Sequence, residues 1–153
     1  MPETSDIAPD FTLPRDGGDS ISLSGLRPGP VVLFFYPRDD TSGCTKEAVA
    51  FSGMKSTFDA AGATVIGISK DSVASHEKFR DKHDLTVPLL SDAEDKICEA
   101  YGVWTEKSMY GKKFFGIERS TFLIDGEGRI ARVWRKVKVP GHAEEVLEAV
   151  RAL

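Results

Sequence analysis

The chain has 153 residues, of which 41% are hydrophobic and 29% are charged, and its formal net charge at pH 7 is -4. This length and composition are those of a globular protein with its own core, so we interpret residues 1–153 as a single domain. The mild negative charge disfavours nucleic acid or an anionic membrane as the main partner.

Three features of the sequence favour the cytoplasm. No segment reaches the ~20 apolar residues that span a bilayer. The acidic residues 1–6 lack the basic and apolar regions of a secretory signal. The two cysteines are too few for the disulfide framework of a small secreted domain. We therefore expect a reducing compartment in which each thiol is either catalytic or structural.

The beginning of the chain predicts strands. Residues 7–13 are extended in character, residues 16–19 form a turn, and residues 20–23 alternate like a half-buried strand, so an N-terminal hairpin is predicted. Residues 31–36 are wholly apolar, which is typical of a central strand covered on both faces.

A helical pattern follows Cys44 and is expected to end at the cap residue Gly62. Its apolar face consists of Ala48, Phe51, Met54, Phe58 and Ala61. Residues 64–69 then predict a second buried strand.

Two further helices are predicted from their caps. Asp71 or Ser72 starts a helix that runs to about Asp84. Residues 91–94 read Ser-Asp-Ala-Glu, a capping box that predicts another helix through Tyr101.

The remaining pattern predicts two extended segments, a hairpin and a last helix. Residues 85–90 and 114–124 are extended in character, and the turn at residues 125–128 pairs the second of these with residues 129–135. A final helix opens at Pro140-Gly141. Its apolar face consists of Ala143, Val146, Leu147, Val150 and Leu153.

Early strands therefore alternate with helices, whereas late strands pair locally. This order predicts an α/β protein with a thioredoxin-like fold, in which helices flank a mixed central sheet and an N-terminal β-hairpin is an extension. A doubly wound sheet fits less well because a tight turn joins the last two strands.

Cys44 lies between a buried strand and the start of a helix. Unpaired amides and the positive end of the helix dipole favour the thiolate there, and the thiolate is the nucleophile. The hydroxyl of Thr41, three residues earlier, can hold a peroxide oxygen, and Pro37 can shield the site. Taken singly, Cys44 is equally well an inert buried thiol, and Thr41 and Pro37 are ordinary turn residues.

The combination of motifs resembles a known family. Residues 36–47, with the pattern Pro-x-x-x-Thr-x-x-Cys, resemble the active-site segment of the peroxiredoxins. Residues 7–13 resemble that family's N-terminal strand, and residues 116–125 resemble the strand that supplies its active-site arginine. Residues 70–72 and 88–92 also match, so the resemblance covers essentially the whole chain and is closest to the bacterioferritin comigratory protein, or Q-type, branch.

The resemblance implies an antioxidant oxidoreductase of cell redox homeostasis, which reduces hydrogen peroxide and organic hydroperoxides. Cys44 is implied to be the peroxidatic cysteine, whose thiolate becomes a sulfenic acid. Thr41 and the backbone amide of Cys44 would hold the peroxide oxygens, and Pro37 would shield the pocket. Arg119 would stabilise both the thiolate and the negative charge on the leaving oxygen. Glu47 would orient Arg119, and no metal, flavin or haem is expected. From the residues alone, an arginine in an apolar strand is unusual, because an unpaired buried guanidinium is costly, and the alternative is an edge strand with the guanidinium of Arg119 in solvent.

The sequence departs from the family where a resolving cysteine is expected. Val49 occupies the position five residues after Cys44, and residues 72–84 contain no cysteine. The remaining cysteine, Cys98, is interpreted as a small core residue, with resolution of Cys44 after local unfolding as the alternative. We therefore expect a one-cysteine mechanism with an external thiol, namely glutathione, glutaredoxin or thioredoxin, in a monomer or weak homodimer.

Other residues are assigned ordinary roles. Surface positions are expected for the three histidines, His76, His83 and His142, and core positions for Trp104 and Trp134. Residues 107–113 are interpreted as a solvated loop or, alternatively, as a basic rim for a protein reductant.

The absence of a Cys-x-x-Cys motif argues against a disulfide exchanger. A peroxide sensor or redox relay without efficient turnover remains an alternative, as does a structural protein with an incidental thiol.

Overall fold

A computed structural model of the chain describes residues 2–153. In chain order its strands are β1 Thr12–Pro14, β2 Ser20–Ser22, β3 Val31–Phe35, β4 Thr64–Ser69, β5 Leu89–Ser91, β6 Trp104–Met109, β7 Lys112–Ile117, β8 Ser120–Ile124 and β9 Ile130–Trp134. Its α-helices are α1 Ser42–Gly53, α2 Lys55–Ala60, α3 Val73–His83, α4 Ile97–Ala100 and α5 His142–Arg151, and a 3-10 turn covers Ser24–Leu26. No helix within residues 2–153 is both long and apolar enough to cross a membrane.

The central sheet has five strands in the order β5-β4-β3-β8-β9. Strand β3 is parallel to β4, and β4 is parallel to β5. Strand β8 is antiparallel to both β3 and β9. The mixed sheet, the N-terminal hairpin of β1 and β2 and the late hairpin of β8 and β9 are therefore confirmed.

The sheet separates two apolar cores, because successive side chains of β3 point to opposite faces. On one face, Val32 and Phe34 pack with residues of α1, α2, α3 and α5. On the other face, Val31, Leu33 and Phe35 pack with the N-terminal hairpin and with residues that flank α4. Cys44 belongs to the first core and Cys98 to the second.

Two predicted helices differ from the structure at their boundaries. The helix after Cys44 is interrupted at Met54, which separates α1 from α2. The capping box at residues 91–94 does not start a helix, because Ser91 is buried and donates its hydroxyl to the backbone oxygen of Asp71 at 2.6 Å. Asp92 accepts the backbone amides that begin the shorter α4 instead.

The predicted extended segment 114–124 is two strands, separated by Glu118 and Arg119. The first of these, β7, pairs with β6 in a hairpin that was not predicted. Residues 107–113, interpreted above as a solvated loop, are therefore mostly strand.

Several side-chain predictions are wrong. His76 and His142 are buried and His83 is half-buried, so the assignment of surface histidines fails. Trp104 and Trp134 are also only half-buried. The apolar face of α5 is confirmed apart from Leu153, which follows the helix and is 56% exposed.

Gly67 tests the packing of the central sheet. It lies opposite Phe34 in the parallel pairing of β3 with β4, and a Cβ atom there would lie 2.7 Å from Phe34 Cζ. We expect Gly67→Ala to lower the free energy of unfolding by about 1–3 kcal/mol in urea denaturation, since overpacking forces the ring to move. Gly53→Ala is the matched control, because no other described atom lies within 4 Å of that position; an equal loss in both variants would contradict the packing argument.

Candidate active site

The N-terminus of α1 places Cys44 at the carboxyl end of β3. Strand β3 ends at Phe35, residues 36–41 form a loop, and α1 begins at Ser42, so Cys44 is in the first helical turn. The backbone amides of this turn have no acceptor within the helix and point toward its N-terminal end. Cys44 is only 1% exposed, which keeps the thiol in a desolvated position beside these amides.

Arg119 reaches the thiol because of the pairing of β8 with β3. Ser120 lies opposite Phe35, so the preceding residue, Arg119, is beside the point where β3 leads into α1. Its Nη2 donates to Cys44 Sγ at 3.2 Å, and its Nη1 donates to Glu47 Oε1 at 2.7 Å. The guanidinium therefore bridges the thiol and a carboxylate one helical turn further along α1, and it does not point into solvent.

Burial governs the charges of this cluster. Burial raises the pKa of Glu47 to about 7, although the neighbouring Arg119 acts in the opposite direction. Within residues 2–153, Glu47 Oε2 is buried and has no hydrogen-bond partner. Burial disfavours the charge of Arg119, but Glu47 and Cys44 together raise its pKa above the ordinary value. The guanidinium thus stays protonated and places a positive charge beside the Cys44 sulfur.

Gly43 is a site residue that was not predicted from the sequence. A Cβ atom at this position would lie 3.1 Å from Arg119 Nη2. The missing side chain therefore allows the guanidinium to approach the first turn of α1. Glycine inside a helix is unfavourable by itself, and that mismatch is the one signal that the sequence offered.

The loop before α1 directs Thr41 away from the helix. Thr41 is the N-cap residue, yet among the described residues its side chain makes no capping bond to α1. Its Oγ1 donates instead to the carbonyl oxygen of Arg38 at 2.9 Å. This leaves both the amides of the first turn and the Thr41 lone pairs available to a ligand. Pro37 is exposed at the beginning of the same loop.

Cys98 lies far from this arrangement in the fold. It sits on α4 across the central sheet, and its amide donates to Asp92 Oδ2 at 2.8 Å. Burial, reinforced by the carboxylate of Asp92, raises the pKa of the Cys98 thiol. Both cysteines are free thiols. The structure therefore brings Cys44, Thr41, Glu47 and Arg119 together and leaves Cys98 in the opposite core.

Known proteins share this sequence and architecture. A family model described as AhpC/TSA family matches residues 4–133. Peroxiredoxin Bcp of Bacillus subtilis (strain 168) is 46% identical over 149 residues, which are 97% of this chain and 95% of that protein.

Two solved structures from Xanthomonas campestris are also similar. Its Peroxiredoxin Q has a TM-score of 0.91 and 44% identity, with 99% of this chain and 96% of that chain covered. Its bacterioferritin comigratory protein, studied through trapped intermediate/ligand complexes for alkyl peroxide reduction activity, has a TM-score of 0.90 and 43% identity, with 99% of this chain and 97% of that chain covered.

The fold, the thiol at the N-terminus of α1 and the similarity to these proteins together place the chain in the class of thiol-dependent peroxidases. The chain belongs to the peroxiredoxins of the AhpC/TSA family, in their bacterioferritin comigratory protein, or Q-type, branch. Its substrates are peroxides and its reductant is a thiol, and the expectations of family, fold and enzyme class are confirmed.

The pKa of Glu47 predicts a pH-dependent stability. Between about pH 4.5, the ordinary value, and about pH 7, the folded protein holds a proton on Glu47 that the unfolded chain has released. Stability therefore falls as pH rises through this window, by on the order of 1 kcal/mol per pH unit. We expect Glu47→Gln to become more stable relative to wild type between pH 5 and pH 8 in urea denaturation.

The exposed carboxylate of Glu94 provides the control for this measurement. Glu94→Gln should follow the wild-type pH dependence, because this change removes no buried carboxyl group. Parallel curves for Glu47→Gln and wild type would show that Glu47 is ionised throughout this range.

Proposed function

We propose that Cys44 is the peroxidatic cysteine of this enzyme and that Thr41, Arg119 and Pro37 complete its active site. The observation that carries the proposal is the contact of 3.2 Å between Arg119 Nη2 and Cys44 Sγ, which places a buried cation against the sulfur. A cation at this distance favours the thiolate, which is the reactive form of cysteine.

In the proposed reaction, the Cys44 thiolate attacks the nearer oxygen of a hydroperoxide. A sulfur–oxygen bond forms as the oxygen–oxygen bond breaks, so the sulfur is oxidised and the peroxide reduced. The departing oxygen leaves as hydroxide or alkoxide and takes up a proton, giving water or an alcohol. Arg119 and the first-turn amides stabilise the developing negative charge, and Thr41 holds the peroxide. Pro37 covers the loop side of the site.

Glu47 is a positioning residue in this scheme. Its hydrogen bond of 2.7 Å fixes one nitrogen of Arg119, so the other nitrogen is directed at the sulfur. Because one nitrogen is bonded to Glu47 and the other to Cys44, both the distance and the orientation of the guanidinium are restricted.

Hydrogen peroxide and organic hydroperoxides are the proposed substrates. The exposed loop that carries Pro37 and Thr41 supports access for substituted peroxides. The alkyl peroxide reduction activity of the Xanthomonas campestris relative supports the same substrate class.

We propose a one-cysteine cycle, in which two thiol groups of an external reductant convert the sulfenic acid back to the thiol with release of water and a disulfide. The position of Cys98 in the opposite core supports this, since a disulfide needs Cα atoms within about 7 Å. Thioredoxin, glutaredoxin and glutathione are the proposed reductants. We further propose that residues 1–153 act as a single cytoplasmic domain, as a monomer or weak homodimer without nucleic acid or membrane partners.

Stopped-flow oxidation by hydrogen peroxide, with intact mass at the end point, tests the assignment of the cysteines. We expect wild type and Cys98→Ser to react equally fast and to gain oxygen on Cys44, whereas Cys44→Ser should lack the fast phase. A disulfide formed by wild type alone would make Cys98 the resolving thiol. If Cys44 is oxidised once and the protein then shows no turnover in excess reduced thioredoxin, glutaredoxin or glutathione, the result would favour the alternative function of a peroxide sensor or redox relay.

Substitution of the guanidinium tests its role in the reaction. We expect Arg119→Met to lower the rate constant for peroxide oxidation by about 10²-fold or more, the effect typical of losing one preorganised donor to a developing anion. Arg132→Met is the control, since Arg132 makes an exposed ion pair with Glu145. Equal rates for Arg119→Met and wild type would remove Arg119 from the active site.

A further inference from the structure

A single peptide group connects Thr41 with the interior of the protein. The hydroxyl of Thr41 donates to the carbonyl oxygen of Arg38, and the amide on the other side of that peptide bond belongs to Asp39. This amide donates to Asp71 Oδ2 at 2.8 Å. Because a trans peptide is planar and its N–H and C=O point in opposite directions, fixing the amide also fixes the carbonyl. Asp71 therefore determines where the proton of the Thr41 hydroxyl is directed.

Asp71 is itself held at the end of β4. The hydroxyl of Ser69 donates to Asp71 Oδ2 at 2.7 Å, and the amide of Asp71 donates to Ser69 Oγ at 3.1 Å. The side chain of Ser69 is fully buried. The carboxylate that orients the peptide is thus anchored to the central sheet and does not depend on the mobility of a surface side chain.

The side chain of Asp39 fixes the same peptide from its other end. Its carboxylate accepts hydrogen bonds from Tyr36 Oη, Ser75 Oγ and His76 Nδ1, each at 2.7 Å. Burial raises the pKa of Tyr36, so the phenol keeps the proton that it donates. His76 Nε2 lies 2.9 Å from the carbonyl oxygen of Leu90, which accepts from it.

Both ring nitrogens of His76 thus lie within hydrogen-bond distance of oxygen atoms.

This buried cluster is a hydrogen-bond network and does not have the properties of a metal centre. One oxygen each of Asp39 and Asp71 and one nitrogen of His76 lie within 4.8 Å of one another. The Asp39 and His76 atoms bond to each other, and Asp71 Oδ2 is engaged by two donors. These bonds direct the donors of the network toward the carboxylates, and the peptide between Arg38 and Asp39 connects the network to Thr41.

We propose that Asp71 is a positioning residue of the peroxidase, which acts through the peptide between Arg38 and Asp39 to fix the hydroxyl of Thr41. The Thr41 hydroxyl donates its proton to the carbonyl oxygen of Arg38, so Thr41 Oγ1 offers only its lone pairs to a bound peroxide. The site therefore takes the peroxide in its protonated form, with the peroxide O–H donating to Thr41. This inference rests on the role proposed above for Thr41.

A double-mutant cycle between Asp71→Ala and Thr41→Val tests the inference, with the rate constant for hydrogen peroxide oxidation as the readout. We expect each single variant to lower this rate constant about tenfold, the loss typical of one hydrogen bond. In the Thr41→Val background, Asp71→Ala should change the rate constant by less than about twofold, because residues that act through a shared contact are not additive.

Three further measurements separate positioning from a general loss of structure. Alkylation of Cys44 by iodoacetamide, which needs no peroxide site, should remain within about twofold of wild type in Asp71→Ala. Asp71→Asn keeps an acceptor oxygen and should restore most of the peroxide rate. Asp40→Asn is the matched control in the same loop, since the Asp40 carboxylate bonds to Lys82 and His83 on α3 and should leave the rate unchanged.

If Asp71→Ala fails to fold, Ser69→Ala replaces it in the cycle, because it removes only the hydroxyl that anchors Asp71. A tenfold loss in both backgrounds would overturn the inference and leave the role of Thr41 intact. An unchanged rate constant in Thr41→Val alone would remove both the proposed role of Thr41 and the inference. The loss of the alkylation rate in parallel with the peroxide rate would also overturn it.

Discussion

The buried guanidinium of Arg119 is the constraint around which the thiol site is organised. An arginine that is 16% exposed must have anionic or polar partners, and the structure supplies Glu47 and Cys44 from one face of the first two turns of α1. The antiparallel register of β8 with β3 brings the guanidinium to that face. The order of the central sheet, the start of α1 and the approach allowed by Gly43 are therefore parts of one arrangement.

This cluster favours reactivity over stability. A buried ion pair rarely stabilises a fold relative to a well-packed apolar core, since desolvation offsets most of the attraction. Glu47 illustrates the cost, because its burial raises its pKa to about 7 and one of its oxygens lacks a partner within the described residues. The desolvation of Cys44, which is only 1% exposed, strengthens the effect of Arg119 on the sulfur, because little solvent screens the charge there.

The strands that lie in the apolar interior could be predicted from the sequence, whereas the elements at the edges could not. A run such as residues 31–36 predicts a central strand, because a strand that is buried on both faces has no polar positions. The hairpin of β6 and β7 carries lysines and exposed aromatic residues, so its strands show no alternation of apolar and polar positions. The helix predicted to start at the capping box of residues 91–94 does not start there. The hydroxyl of Ser91 donates instead to the backbone oxygen of Asp71, which is twenty residues away in sequence.

The candidate site was predictable to the extent that its residues are close in sequence or form a recognisable motif. Cys44 and Thr41 lie in one segment, and Arg119 was found because residues 116–125 resemble the strand that supplies the family's active-site arginine. The burial of His76 depends on Asp39, which is 37 residues away, and no local pattern reveals such a pairing. The role of Gly43 could not be predicted from the sequence either, because it depends on how closely Arg119 Nη2 approaches this position in the folded chain.

The central sheet also determines how the oxidised enzyme is regenerated. Cys44 and Cys98 pack in different cores, so the interior of the sheet lies between the two sulfur atoms. A reductant must therefore approach Cys44 from the solvent side, where the loop with Pro37 and Thr41 is exposed. Because Cys44 is only 1% exposed, the cycle proposed above requires the first turn of α1 to move before an external thiol reaches the sulfenic acid. The proposed conversion of a thiolate to a sulfenic acid would weaken the attraction between the sulfur and Arg119, which acts in the direction of that movement.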